Sequence, residues 1–446
     1  MRFAFAAILF YSGLTLSVAN DQNSRAQSGA GPARSSKPQQ VSPSPADSLA
    51  PLLSQAQEAL DRKDFAAAIP LLEKIAAAKP GDALPHFELG FAYSGLKKNE
   101  EAIAEYRRAI SLDPKLAPAQ LNLGLELLDS DPLSAAESFR RAVELLPGQA
   151  RPLYLLGQAL EHGGKRSEAI QQYHAALALT PKDDAILFAL SRALLADGQF
   201  GPAEANFRQF LLLKPESAAA QLGLSESLLR QQKTAAAADA LAQYVQKVPD
   251  DAHARFELAA ALEDLNRFDE SLQELDQLER RAAPTGDSLK LRGSIYLQQK
   301  KWSDAAASLE KAIAASAADP QLHLWLGQAK MELRDYAAAE KELRRCLELS
   351  PGNPDALRQL VSVYYLSGQY EPTISTLDLL ARRETPGALD WFFRALSCDK
   401  LGRKAEAADA YRKFIEMDRG ERPNQEFQAQ ARLTLLQREL SRTRGK

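Results

Sequence analysis

Only two cysteines, Cys346 and Cys398, occur in 446 residues. That count excludes a disulfide framework, and two thiols are too few for a cysteine-type metal site. Both fall inside helical patterns of different segments, where a small apolar side chain is expected to be buried. Histidine is nearly as scarce. His86, His162, His174, His253 and His323 lie in five separate stretches, and none pairs with another at metal-ligand spacing. A dominant charge is missing too: 55 basic and 58 acidic side chains leave a net charge of −3. No global field therefore draws the chain to nucleic acid or to an anionic membrane. Beyond the N-terminal stretch, no apolar run is long enough to span a bilayer.

What is present is ordinary folded-protein material, 45% hydrophobic and 25% charged. A chain this long exceeds one compact core, so several domains or an extended repeat array are expected. The start reads as an export signal. "MRFAFAAILFYSGLTLSVAN" carries Arg2, then no charge from Phe3 to Ala19, and closes on small residues Ser17 and Ala19. Residues 1–19 are therefore expected to be a signal peptide removed after Ala19. An uncleaved membrane anchor is the alternative, because the stretch sits at the lower edge of spanning length. No cysteine near the cleavage point supports a lipoprotein. Residues 20–47 turn to Ser, Pro, Gln, Gly and Ala, a composition that cannot bury apolar surface and is expected to be a disordered linker. Such a spacer reaches roughly 30 Å.

From there one phrase keeps returning: "EEAIAEYRRAISLDP" near 100 has a counterpart in "SEAIQQYHAALALTP" near 167. Aligning the copies gives a column Ala68, Ala102, Ala135, Ala169, Ala203, Ala237, Ser271, Ala305, Ala339, Thr373, Ala407. Nine of its ten intervals are 34 residues and one is 33, which marks a repeat architecture. Four residues on stands a bulky side chain in every copy, from Leu72 and Tyr106 to Leu377 and Tyr411. A proline closes many units, among them Pro80, Pro114, Pro147, Pro181, Pro215, Pro249 and Pro351, where it ends a helix. Apolar residues recur at three-to-four spacing in both halves of a unit, so each reads as two helices. A second small column, Gly90, Gly124, Gly157, Ser191, Ser225, Ala259, Gly293 and Gly327, falls in the first helix. Glycine there costs about 0.5–1 kcal/mol against alanine. Close approach of the paired helices, with a bulky neighbour filling the gap, is the expected compensation.

These columns resemble the tetratricopeptide repeat family, a helix–turn–helix of 34 residues with small residues in both helices and a closing proline. The match covers about 48–419. The second-helix entrance carries an aromatic at Phe65, Phe200, Phe268, Trp302, Tyr336 and Tyr370. Departures are Ala56 in the first unit, a lost residue at "DSDP" in the third, and Val361 with Thr373 in the tenth. The resemblance implies an all-α, right-handed α-solenoid of about eleven repeats, with the first helix of each unit lining a concave face that takes protein or peptide ligands. After Gly420, residues 420–446 are expected to form a capping helix and a solvated basic tail. Phe427, Ala431, Leu435 and Leu436 make its apolar stripe.

The repeats consume the chain, leaving no segment for a catalytic domain, a cofactor or a metal. "HGGK" after Glu161 lacks the first glycine and the preceding strand of a P-loop and reads as an inter-helix turn. "PKDDA" and "PDDAH" read as helix N-caps. A family-type carboxylate clamp would need basic side chains and asparagine in the groove, and only Asn122 fits. The groove positions instead run Leu53, Phe87, Leu121, Tyr154, Phe188, Leu222 and Phe256, joined by Phe91 and Leu125. Two readings stay open: an apolar docking ridge for a partner segment, or side chains packed on the adjacent unit. Further along, Lys290 and Arg358 make the column polar, so the two halves are expected to differ. The reading is a non-enzymatic scaffold for proteins or peptides, exported to the periplasm or secreted. The alternative is an envelope-assembly or exopolysaccharide-secretion component contacting glycan, which bare aromatic platforms would favour. An accessory subunit of a separate enzyme is not separable from the first reading by sequence.

Overall fold

The computed structural model describes residues 45–444. The export segment and most of the spacer lie outside the described residues. Among the described residues there are 23 helices and no strand. The first hairpins are α1 (Pro45–Asp61) with α2 (Phe65–Ala78), and α3 (Ala83–Gly95) with α4 (Asn99–Leu112). Next come α5 (Ala117–Leu127) with α6 (Pro132–Leu145), and α7 (Ala150–His162) with α8 (Arg166–Leu179). They are followed by α9 (Asp184–Ala196) with α10 (Phe200–Leu213), and α11 (Ala218–Arg230) with α12 (Thr234–Lys247). The seventh and eighth pairs are α13 (Ala252–Asp264) with α14 (Phe268–Glu279), and α15 (Gly286–Gln298) with α16 (Trp302–Ala315). The series ends in α17 (Pro320–Glu332) with α18 (Tyr336–Leu349), α19 (Pro354–Leu366) with α20 (Tyr370–Ala381), and α21 (Ala388–Lys400) with α22 (Lys404–Asp418). A last helix, α23 (Pro423–Arg444), packs on α22. Each helix packs on its neighbours in sequence, with contacts between successive first helices on one side. This is the eleven-hairpin solenoid with a cap that the period implies.

The small column does what its spacing requires. A Cβ added to Gly90, Gly124 or Gly157 would stand 2.7, 2.6 and 2.5 Å from the rings of Tyr106, Phe139 and Tyr173. At Gly293 and Gly327 it would meet Leu309 and Leu343, both at 2.7 Å. The partner rings and leucines are almost wholly buried, as are Ala102, Ala135, Ala169 and their equivalents. Where glycine is absent, the gap moves. Ser191 folds its hydroxyl onto the Leu187 carbonyl at 2.6 Å. Phe207 then leans on Gly223 of the next hairpin, where a Cβ would lie 2.3 Å from the ring.

The turn inside ten of the eleven hairpins holds one left-handed residue, which lets an amide reach back five residues to close the first helix. It is Lys63, Lys97, Gly164, Gly198, Gln232, Asn266, Lys300, Arg334, Gly368 or Gly402. Lys165 N–H, for example, donates to Leu160 at 2.8 Å. "HGGK" is therefore this turn, with Gly164 at φ +77°. The third hairpin lacks such a residue because its deletion shortens α5 to 11 residues. Asp183 and Asp251 cap α9 and α13 by accepting from Ile186 and Ala254 amides at 3.1 and 3.0 Å. Both cysteines are free and buried, and burial pushes their thiols up.

Two features correct the sequence reading. The seventh and tenth hairpins carry shortened second helices of 12 residues, each followed by a long link that places its proline late, at Pro284 and Pro386. As a result the α14–α15 packing is the sparsest between consecutive helices. In α23 the buried face is Ala429, Leu433, Leu436 and Leu440, so of the expected stripe only Leu436 is buried. Phe427 is 74% and Leu435 47% exposed, and Ala431 faces outward. The rotation of α23 is set by a bidentate pair from Arg432 to Asp399 of α21, at 2.6 and 2.8 Å. Ala429 provides the close approach.

Overpacking this lock gives a direct test. Gly157→Leu and Ala169→Leu should each lower stability by about 1–3 kcal/mol, read as a shift of the urea midpoint with the helical spectrum retained. Unchanged midpoints in both would contradict ring-into-gap packing.

Candidate functional site

The second helices are consumed by the packing between hairpins, so the first helices supply the open face. Phe87, Leu121, Leu125, Tyr154 and Phe188 are half-buried there, each with one side on the continuous cluster running from Ala102 to Ala240. Phe87 meets Tyr106 with ring centroids 6.0 Å apart, Tyr154 meets Tyr173 at 6.0 Å, and Phe188 meets Phe210 at 5.2 Å. Phe91 packs edge-on against Phe65 at 5.6 Å. Leu53 and Leu222 stand exposed at 40% and 36%. Phe256 packs on the small cluster around Leu275. For Phe87, Leu121, Leu125, Tyr154 and Phe188 both open readings therefore describe part of the side chain: the inner edge packs and the outer edge is free.

Polar groups in this stretch are already committed. Asn122 donates to the Tyr106 hydroxyl at 3.3 Å, and Gln158 donates to that of Tyr154 at 2.9 Å. Neither is free to grip a terminal carboxylate. Burial pushes the Glu88 carboxyl, beside Phe87, up to about 7, with the Asp82 charge adding to the effect.

A polar position that the sequence reading did not single out runs one residue before the apolar column. His86 contacts Glu105 at 2.6 Å, and His323 contacts Glu342 at 2.7 Å. Arg255, only 3% exposed, reaches Glu274, Gln277 and the Pro249 carbonyl. Gln221 donates to the Ala240 carbonyl at 3.2 Å. These contacts tie first helix to second across a hairpin. No group of three metal-ligating side chains occurs among the described residues.

A cleft of about 710 Å³ opens on the same face between α13, α15 and α17. Phe256, Leu291, Leu297 and Trp325 form its apolar wall, with Gln298 and Gln328 beside them. Lys290 lies 5.8 Å from the Trp325 ring and is paired with Asp319 at 2.7 Å. Burial pushes the Asp319 carboxyl up, but the Lys290 ammonium and the Gln321 and Leu322 amides outweigh it and hold the group low. Arg358 is likewise paired, with Asp355 and Glu384. The sequence column passed through Phe256 and Lys290 but missed Trp325 and Leu291, which sit one residue further along their helices.

A family profile described as tetratricopeptide repeat matches residues 121–184, 188–252, 226–287 and 290–354, more than half of the chain. The chain belongs to the tetratricopeptide repeat family. Related profiles match 96–128, 331–386 and 391–421. No curated protein matches in sequence. Among solved structures, similarity extends to YrrB, described as a TPR protein with an unusual peptide-binding site. It is 21% identical, covers 41% of this chain and 95% of its own, and has a TM-score of 0.39. A MamA structure from Desulfovibrio magneticus RS-1 is 22% identical over 38% of this chain and 96% of its own, with a TM-score of 0.37. The Cut9–Hcn1 hetero-tetramer structure matches at 15% identity over 88% of this chain and 98% of that one, with a TM-score of 0.36. These likenesses are too distant to carry any statement about ligands.

The Glu88 environment sets a sign. A carboxyl that holds its proton more tightly when folded costs stability progressively from its ordinary value of 4.5 up to about 7, and fully above that. Glu88→Gln should therefore stabilise the fold at pH 8 by about 1–3 kcal/mol, read as a higher urea midpoint, and leave the midpoint nearly unchanged at pH 4.5. Equal gains at both pH values would contradict the assignment.

Proposed function

We propose that this chain is a non-catalytic scaffold that holds protein or peptide segments along its concave face, outside the cytoplasm. The observation that carries the reading is the row Leu53, Phe87, Leu121, Tyr154, Phe188 and Leu222, whose outer edges stay open on successive first helices. The inner edges of Phe87, Leu121, Tyr154 and Phe188 are pinned by packing, so this part of the row is pre-organised and little side-chain entropy is lost when a partner docks. An amphipathic helix or an extended segment can lay apolar side chains between such ridges.

Glycan contact is less well supported by this row. Sugar stacking needs open ring faces, whereas Phe87, Tyr154 and Phe188 each lean on a second ring. Export rests on residues 1–19, which lie outside the described residues. No described helix is long and apolar enough to cross a membrane.

Crosslinking in cells, with the captured proteins identified, tests the groove. Phe87→Ala combined with Phe91→Ala should sharply reduce capture of a partner held by the intact chain while helicity is kept. Equal capture removes the apolar-ridge reading. Fractionation with N-terminal sequencing tests export: Asn20 should lead the chain outside the cytoplasm. A cytoplasmic protein starting at Met1 would overturn that part.

A further inference from the structure

The cleft between α13, α15 and α17 differs chemically from the ridge that precedes it, and the difference points to one class of occupant. Its lining holds two carboxylates and a single ammonium. The ammonium, Lys290, is neutralised by Asp319 at 2.7 Å and lies near the Trp325 ring. Glu263 and Asp287 have no cationic partner among the described residues. Glu263 accepts from Ser294 at 3.3 Å and from Gln298, both neutral donors. It also lies in the last turn of α13, where the partial negative charge of the helix adds to its own. Asp287 is exposed in the first turn of α15. The potential left in the cleft is negative, beside an apolar wall of Phe256, Leu291 and Trp325.

We infer that this cleft selects peptide segments in which a Lys or Arg stands next to a large apolar side chain. The inference rests on the groove reading above and adds a specificity to one part of it. The apolar side chain enters against Phe256 and Leu291. The cation meets Glu263 and Asp287, with the Trp325 ring face within reach of its stem. Gln328 offers its amide to the backbone of the segment, while Gln298 stays on Glu263. Complementary charge of this kind sets partner choice and rejects acidic segments. The position also has a structural cause: α14 is short, the link to α15 is long, and the sparse α14–α15 packing lies beside the cleft.

The test uses the full chain, immobilised and panned with a random twelve-residue peptide library at low salt, in parallel with the Glu263→Lys/Asp287→Lys variant. The intact chain should enrich peptides pairing Lys or Arg with Leu, Phe or Trp. The double variant should bind those peptides at least tenfold more weakly and enrich acidic ones instead. Trp325→Ala should weaken the same peptides, and Phe87→Ala/Phe91→Ala should not, with thermal melts confirming that each variant folds. Enrichment without a basic bias, or an unchanged motif on the double variant, overturns this inference and leaves the groove reading standing. No enrichment on the intact chain overturns both. Selected peptides that depend on Phe87 rather than on Trp325 also overturn it.

Discussion

Everything in this molecule depends on one contact that recurs along the stack: a large side chain of the second helix pressed onto a small residue of a first helix, in most copies that of its own hairpin. Tyr106, Phe139 and Tyr173 occupy space that a Cβ on Gly90, Gly124 or Gly157 would take. Glycine inside a helix is a local cost, and the buried ring offsets it with apolar area and dispersion contacts. Close approach also fixes the crossing of the two helices, so copies of the unit stack with little variation. Stability then accumulates between neighbours rather than in one shared core. The buried clusters show this directly. One runs continuously from Ala102 to Ala240, and shorter ones carry the chain onward to Leu436.

The same contact decides which surface stays open. Second helices bury both flanks against successive first helices, so the free surface of the first helices is the face proposed for partner segments. Along the N-terminal half that face is a ridge of half-buried apolar side chains. Beyond α13 it changes character, because shortened α14 loosens the stack and polar groups enter the column. Buried polar ties such as Arg255–Glu274 and His323–Glu342 hold individual hairpins at fixed geometry. Leaving either partner alone in those sites would cost more than the pair contributes.

Periodicity made most of the fold legible. Eleven copies of one spacing identify the small and bulky columns without any structural knowledge, and the turn at "HGGK" could be rejected as a phosphate loop from its context alone. What was hidden lies outside the period. Gly223 accommodates Phe207 across a hairpin boundary, a contact that no within-unit column reveals. The cap helix has no sibling to set its register, and two apolar stripes that share Leu436, one through Ala429 and Leu433 and the other through Phe427, Ala431 and Leu435, compete on equal terms. A bidentate pair between Arg432 and Asp399 settles the choice, and such long-range pairs leave no pattern in sequence. The cleft residue Trp325 was missed because it stands one position beyond the followed column, and only the curvature of the stack brings it beside Phe256. The His, Gln and Arg of the polar position share a place but not a residue type.

Hydrogen exchange on Gly124→Leu measures the central claim most directly, because it reports protection hairpin by hairpin. Gly124 faces Phe139 at a distance that admits no side chain. The account requires protection to fall in the third hairpin and its immediate neighbours while hairpins from α17 onward keep theirs. Uniform loss from end to end would mean one cooperative globule, and undiminished protection everywhere would mean that the ring-into-gap contact holds nothing together.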